Sequence, residues 1–316
     1  MILSVSRRTD IPAFYTPWLM NRIREGYVLV RNPMNYHQVS KVSISPDVID
    51  CIVFWTKNPA PLLPYLEEIG CRYPYYFQFT LNAYGREVEP GLPPFEKRVE
   101  SFRRLSEAAG PTRVIWRYDP VLLSDRYTAA WHTEQFAKAA KALRGSAERC
   151  VISFVDMYEK VKKNLTGLNA RECSDDEMLR LAAAFSETAK ENGFALQTCA
   201  EKADLLQYGI VHGCCVDADL ISEITGWKIK AKKDPNQRSE CGCVESIDIG
   251  QYNTCRHGCR YCYATFNPQS VETFSARHDP ESPFLVGGPE PGDKVTGRKM
   301  KSLKTEPSGQ LSMFSV

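Results

Sequence analysis

The sequence lacks the bulk features that would assign it to a membrane or to nucleic acid. Its 40 basic and 38 acidic residues leave a formal net charge of +2. No global field therefore favours a polyanion or a lipid surface, and any such partner must be met by a local patch. No window approaches the roughly 20 apolar residues needed to cross a bilayer. The opening MILSVSRRTDIP is too short in apolar run and too charged for a secretory leader. The expectation is a soluble cytoplasmic protein with no membrane partner. No internal repeat of fixed period shows beyond an alternation of strands and helices. Histidine is scarce, at five residues. His37, His132, His212 and His278 have no partner four residues on, and are expected to be surface or hydrogen-bonded groups; His212, in GIVHGCC, is the least ordinary.

What is present is enough apolar material, 43% of 316 residues, for one large core or two modest ones. Short β-rich runs recur at ILSVS from Ile2, YVLV from Tyr27, CIVFW from Cys51, YYFQFT from Tyr75, RVIWRY from Arg113, CVISFV from Cys150, FALQTC from Phe194 and ESIDIG from Glu245. Helical patterns lie between them, such as PFEKRVESFRRLSEAAG and SDDEMLRLAAAFSETAKENG. The second carries a capping box of Ser174 with Glu177 and a stop at Gly193. Strands alternating with helices imply parallel pairing with right-handed crossovers. Eight units in about 250 residues is the size of a (β/α)8 TIM-like barrel. The expected domain is 1–266, followed from 267 to 316 by an extended or partly disordered C-terminal tail rich in Pro, Gly, Ser and charge.

The strand exits are polar: Arg7, Arg8 and Asp10; Arg31 and Asn32; Lys57 and Asn58; Asn82; Arg117 and Asp119; Asp156; Glu201 and Lys202. One polar exit is what any strand meeting solvent carries. A whole ring of them, gathered on one face of a parallel barrel, points to a site.

Twelve cysteines are many for such a chain. Cys51, Cys71, Cys150 and Cys173 are scattered and read as small buried hydrophobes. The other eight crowd between Cys199 and Cys262, which favours metal over disulfides in a chain without a leader. In YNTCRHGCRYCYA, Cys255, Cys259 and Cys262 form C-x3-C-x2-C. Zinc of structural type needs a closed set of four ligands, and His257 is awkwardly close to both flanking cysteines. Three thiolates on an iron–sulfur cube instead leave one iron open. Zinc and reduced bystander thiols are the alternatives.

This spacing, with Tyr261 before the third cysteine, resembles the signature of the radical S-adenosylmethionine (radical SAM) enzymes. The resemblance implies a [4Fe–4S] cluster on Cys255, Cys259 and Cys262, with S-adenosylmethionine chelating the open iron. Reduction by a donor such as flavodoxin or ferredoxin then yields a 5′-deoxyadenosyl radical that attacks an unknown substrate. It places the ring of Tyr261 near the adenine. The cysteine loop of that superfamily follows the first barrel strand and here follows the last, which a circularly permuted barrel explains, since a closed ring has no physical first strand. From SVSRRTDIPAFY to DIGQYNTCRHGCRYCYA, the chain is similar to a family of uncharacterised bacterial proteins known for a C-terminal cysteine cluster of this kind. The superfamily's Gly-Gly-Glu stretch is absent from the expected neighbouring strand. Asp10 there would accept from the cofactor's ammonium, and Arg7 or Arg8 would hold its carboxylate. The alternative is Gly287, Gly288 and Glu290 in FLVGGPEP.

A second metal site, zinc or an auxiliary iron–sulfur cluster, is expected from Cys199, Cys214 or Cys215, Cys241 and Cys243. At the far end Gln310, Leu311, Ser312, Met313 and Phe314 resemble the peptide by which bacterial repair proteins dock on the DNA sliding clamp. The basic run of Arg298, Lys299, Lys301 and Lys304 before it offers phosphate contacts. A solubilising tail is the plainer reading; a working clamp peptide would direct the chemistry to DNA repair. The non-enzymatic alternative for the whole chain is an iron–sulfur or zinc-stabilised barrel that binds a ligand or partner.

Overall fold

The computed structural model describes residues 1–305. Gln310, Leu311, Met313 and Phe314, the residues of the clamp-like peptide, lie outside the described residues. The strands in chain order are β1 (Ile2–Val5), β2 (Tyr27–Asn32), β3 (Asn35–Ser43), β4 (Cys51–Thr56), β5 (Tyr75–Thr80), β6 (Val114–Val121), β7 (Arg149–Phe154), β8 (Ala195–Thr198), β9 (Val211–His212), β10 (Lys228–Ile229), β11 (Ile247–Asp248), β12 (Lys294–Gly297) and β13 (Lys304–Thr305). The helices are α1 (Ile11–Phe14), α2 (Thr16–Glu25), α3 (Leu66–Gly70), α4 (Phe95–Ala109), α5 (Ala129–Leu143), α6 (Glu159–Asn164), α7 (Asp175–Glu191), α8 (Ala218–Thr225) and α9 (Pro268–Ser275).

Eight strands form one sheet in the order β11-β1-β4-β5-β6-β7-β8-β9, and every neighbouring pair is parallel. The expected α/β class with parallel pairing holds. Side chains alternate between its two faces, as the period of 2 requires. Leu3, Phe54, Phe77, Trp116 and Ile152 join the large core under α2, α4, α5 and α7. Ile2, Val53, Tyr76, Ile115 and Val151 face the other way and pack against Val216, Leu220 and Ile221. Both faces are thus covered, which is why these strands read as nearly continuous apolar runs. The two predicted helical patterns form α4 and α7, and α7 has its capping box of Ser174 and Glu177.

The expected set of eight strands needs two changes. The run from Tyr27 does form a strand, but it pairs antiparallel with β3 in a separate sheet completed by β12. Only Pro33 and Met34 join β2 to β3, and a link that short makes a hairpin; a parallel neighbour needs a dozen residues or more. Arg31 and Asn32 therefore do not belong to the ring of exits, and Arg31 instead pairs with Asp293 at 2.6 Å. The missing member is β9, within GIVHGCC: two exposed residues, too short for any periodic signal, paired with Gln197 and Thr198.

The expected tail is corrected as well. From Pro268 to Thr305 the chain forms α9, β12 and β13 and packs on the N-terminal half. Phe284, Leu285 and Val286 are buried, Trp18 Nε1 donates to the Ser282 carbonyl at 2.9 Å, and Ser302 and the Leu303 amide donate to Asp50. The prolines and glycines there turn the chain around a short apolar triplet. Of the scattered cysteines, Cys51 and Cys150 are buried as expected and Cys173 is half-buried, but Cys71 is exposed at the end of α3.

Candidate functional site

The cysteine loop leaves the carboxyl end of β11, whose parallel neighbour is β1. Asp248 locks the two exits together: its carboxylate accepts from Ser4 Oγ at 2.9 Å, Ser6 Oγ at 2.6 Å and the Arg7 amide at 2.8 Å. The loop is then pinned along its length. Tyr15 donates to the Thr254 carbonyl at 2.6 Å, Arg260 donates to the carbonyls of Asn164 and Thr166, and Tyr263 donates to the Arg7 carbonyl. Gly91 donates its amide to the His257 carbonyl at 2.9 Å. A Cβ at Gly91 would lie 2.7 Å from that same backbone oxygen, so only glycine permits this approach.

Cys255, Cys259 and Cys262 are carried on this loop with Cys259 buried and the other two half-buried. Burial pushes the Cys255 thiol up to about 12, with Asp10 and the Cys262 sulfur adding to it and the amides of His257 and Asp10 opposing. Burial likewise raises Cys259, against the nearby Lys57 ammonium. Cys262 Sγ accepts the Ala264 amide at 3.3 Å. Among the described residues no three His, Cys, Asp or Glu side chains are arranged as the ligands of one metal ion. His257 is buried, with Nε2 on Asp10 at 2.8 Å; its Nδ1 has no hydrogen-bond partner among the described residues.

Asp10 was expected to present an oxygen to an ammonium group. Its carboxylate instead accepts four bonds: from the Ala13 amide, Thr56 Oγ1, the Lys57 amide and the His257 imidazole, all at 2.7–3.0 Å. That fills the acceptor capacity of a carboxylate. Asp10 caps α1 and anchors the cysteine loop. The adjacent arginines diverge. Arg8 Nη1 donates to the Gly250 carbonyl and its guanidinium lies over the Tyr252 ring. Arg7 turns the other way, over Trp55 and within 3.6 Å of Asp234. Gly287, Gly288 and Glu290 lie against Arg31, Arg277 and Tyr36 at the three-stranded sheet, away from the cysteine loop.

Tyr261 is held by a buried ionic network that the sequence did not reveal. Glu89, on the loop after β5 and fully buried, pairs with Lys57 Nζ at 3.0 Å and Arg98 Nη1 at 3.2 Å, and accepts from the Tyr261 hydroxyl. Tyr261 in turn accepts from Lys57 at 2.7 Å and Asn82 at 3.2 Å. Burial works against the Glu89 charge, but Lys57 and Arg98 outweigh it and hold the carboxyl below its ordinary value. Nothing local in GREVEPG marks Glu89; only the fold brings it to Lys57.

Arg117 and Asp119 form an ion pair at 2.6 Å, with Ser153 donating to Asp119. Burial, helped by Asp156 and Asp119, raises Glu201 to about 7. Lys57, Asn82, Arg117 and Glu201 follow or lie in parallel strands of one sheet, while Asp156 pairs with Arg238 at the surface and Lys202 is exposed. A surface hollow lined by Met157, Lys162, Thr166 and Arg171 touches none of these groups. Within the second cysteine group, Cys199 Sγ lies 3.3 Å from Cys215 Sγ, and Cys215, Cys241 and Cys243 are buried in one cluster with Cys199 packed against it. Cys214 turns toward Gly242.

A parallel sheet covered on both faces makes this an α/β protein, and the thiol-bearing loop and buried ion pairs at the carboxyl ends of its strands form the candidate site. The chain belongs to the family described as Domain of unknown function (DUF1848), whose model matches residues 2–264 and so ends two residues beyond Cys262. No curated protein matches it. Among the described residues no helix is long and apolar enough to cross a membrane.

Proposed function

We propose that this chain is a radical S-adenosylmethionine enzyme, with Cys255, Cys259 and Cys262 holding a [4Fe–4S] cluster on a circularly permuted (β/α)8 barrel. The observation that carries it is the seat of the cysteine loop: it leaves the carboxyl end of β11, beside β1, against a buried Lys57–Glu89–Tyr261 network. The arrangement β11-β1-β4 puts the cysteine-bearing strand directly before the N-terminal one in space, which is what permutation requires. When bound, the cluster and S-adenosylmethionine supply one-electron cleavage of the sulfonium and hydrogen abstraction from a substrate.

The chain's own residues do the positioning. The Ala264 amide donates to Cys262 Sγ at 3.3 Å, and the amides of Asp10 and His257 work against the burial that raises Cys255. Lys57 keeps positive charge beside Cys259: burial opposes it, but Glu89 and Cys259 hold its pKa above the ordinary value. Arg8, held between the Gly250 carbonyl and the Tyr252 ring where the loop begins, would hold the cofactor's carboxylate, and Tyr261 belongs to the network of Lys57 and Glu89. The tail of apolar and aromatic groups around Tyr84, Val88 and Leu122 excludes water on the Tyr261 side.

A second reading has its own observation. An imidazole with one nitrogen on a carboxylate and the other buried and unpartnered is how a metal-ligating histidine is held, and His257 on Asp10 has that form. In that reading His257 completes a structural Cys3His site and there is no open coordination position. Anaerobic reconstitution followed by electron paramagnetic resonance, with and without S-adenosylmethionine, separates the two. The enzyme reading expects a four-iron cluster whose spectrum shifts with S-adenosylmethionine, 5′-deoxyadenosine on adding dithionite, and loss of both in Cys259→Ala. A spectrum indifferent to S-adenosylmethionine, or stoichiometric zinc lost in His257→Ala, overturns it.

A further inference from the structure

Three separate stretches of chain deliver cysteines to one place beside α8, on the sheet face opposite α2, α4, α5 and α7: Cys199 follows β8, Cys215 follows β9, and Cys241 and Cys243 lie on the loop leading to β11. Cys199 Sγ lies 3.3 Å from Cys215 Sγ, and Cys241 and Cys243 are buried in the same cluster as Cys215. Cys215 is fixed by residues of the sheet: its carbonyl accepts from Tyr76 and Gln78, and its sulfur lies 2.6 Å from Arg117 Nη1. Cys243 Sγ accepts the Val216 amide at 3.3 Å. The two loops come this close because residue 242 is glycine; a Cβ there would sit 2.6 Å from Cys214 Sγ.

From this we infer that Cys199, Cys215, Cys241 and Cys243 are the ligands of a second, four-thiolate metal site, separate from the loop at 255–262. Cysteines buried only as small hydrophobes call for no cation beside them, yet Cys215 Sγ lies against the Arg117 guanidinium. Four thiolates about a zinc ion or an iron–sulfur cube carry net negative charge, and the surroundings answer it. Arg117 points at Cys215, and Arg7, on the same side, has a buried Nη2 with no hydrogen-bond partner among the described residues. Among the described residues the four sulfurs are not set as the ligand shell of one ion, so binding draws them together about it. An all-sulfur set selects zinc or an iron–sulfur cluster over harder metals.

The test uses the full chain with Cys255, Cys259 and Cys262 all changed to Ala, prepared anaerobically, so that only the second site can hold metal. Metal analysis is expected to give about one zinc or about four iron atoms per chain, with either result supporting the site. Adding Cys243→Ser is expected to remove that metal, whereas adding Cys173→Ser leaves it. Because Cys243→Ser could unfold the chain, maleimide labelling of the triple variant gives an independent reading. Cys199, Cys215, Cys241 and Cys243 should be protected until a chelator is added and should then label together. A metal-free triple variant that still unfolds cooperatively, four thiols labelled from the start, or a Cys199–Cys215 disulfide in its place overturns the inference. Failure of the radical reading would show separately, as a wild-type chain that holds this metal but does not respond to S-adenosylmethionine.

Discussion

Replacing Glu89 by glutamine tests whether the buried network beside the cysteine loop is an ionic structure. Glu89 has no exposed side-chain surface, Arg98 is 3% exposed and Lys57 15%. Glu89→Gln keeps the shape but leaves two cations with no counter-charge. Removing one partner of a buried ion pair costs about 3–5 kcal/mol. At about 2.1 cal/mol/K of unfolding entropy per residue, a chain of 316 residues loses about 5–8 °C in Tm for that cost. Thermal unfolding followed by circular dichroism measures it, and Glu89→Gln with Arg98→Met should recover part of the loss, since the uncompensated charge is then reduced. The pH dependence supplies an independent check. The carboxyl is held below its unfolded value, so the unfolded chain binds the extra proton as the pH falls. The stability from Glu89 is complete above about pH 4.3 and fades below it. Wild type should therefore lose more stability than Glu89→Gln between about pH 5 and pH 3. A Tm within about 2 °C of wild type, with parallel pH curves, would refute the ionic account.

Two further outcomes follow from the packing. Gly91→Ala should lower Tm by about 2–5 °C, because its Cβ meets the backbone oxygens of His257 and Arg256 at 2.7 and 2.9 Å and overpacking of that kind costs about 1–3 kcal/mol. Gly288→Ala, whose Cβ meets nothing within 4 Å, is the control and should leave the melt unchanged. His132 is fully buried between the Tyr118 hydroxyl and the Leu122 carbonyl, and burial lowers it from 6.5 to about 4. Its contribution is complete above about pH 6.5 and is lost as the pH falls toward 4, on the order of 3 kcal/mol. Denaturant unfolding of wild type and His132→Gln across that range should show the flatter curve in the variant; identical slopes would sink the assignment.

The difference between what was legible and what was not follows the range of the interactions. Apolar runs such as CIVFW and YYFQFT announce strands because both sheet faces are covered, and the capping box at Ser174 is written within four residues. The run at Tyr27 carries the same local signal as the sheet strands, yet its two-residue link to β3 sends it into a hairpin. The two residues of β9 carry no signal at all. Strand exits at Lys57, Asn82 and Arg117 could be placed on one face once parallel pairing was assumed, but their partners could not. Asp10 looked like a free carboxylate from its position after a strand; three of the four bonds that occupy it come from Thr56, Lys57 and His257, at 46, 47 and 247 residues' distance.

By itself the sequence determined the α/β alternation, the parallel pairing and the crowding of thiols toward the C-terminal half, since periodicity, caps and residue type are local properties. Tertiary structure decided which strand stands beside the cysteine loop, that Glu89 joins Lys57 and Tyr261, and that Cys199 and Cys215 meet while Cys214 turns to Gly242. Those outcomes depend on contacts between segments tens to hundreds of residues apart, and such contacts are selected by packing of the whole chain rather than by any short stretch of it.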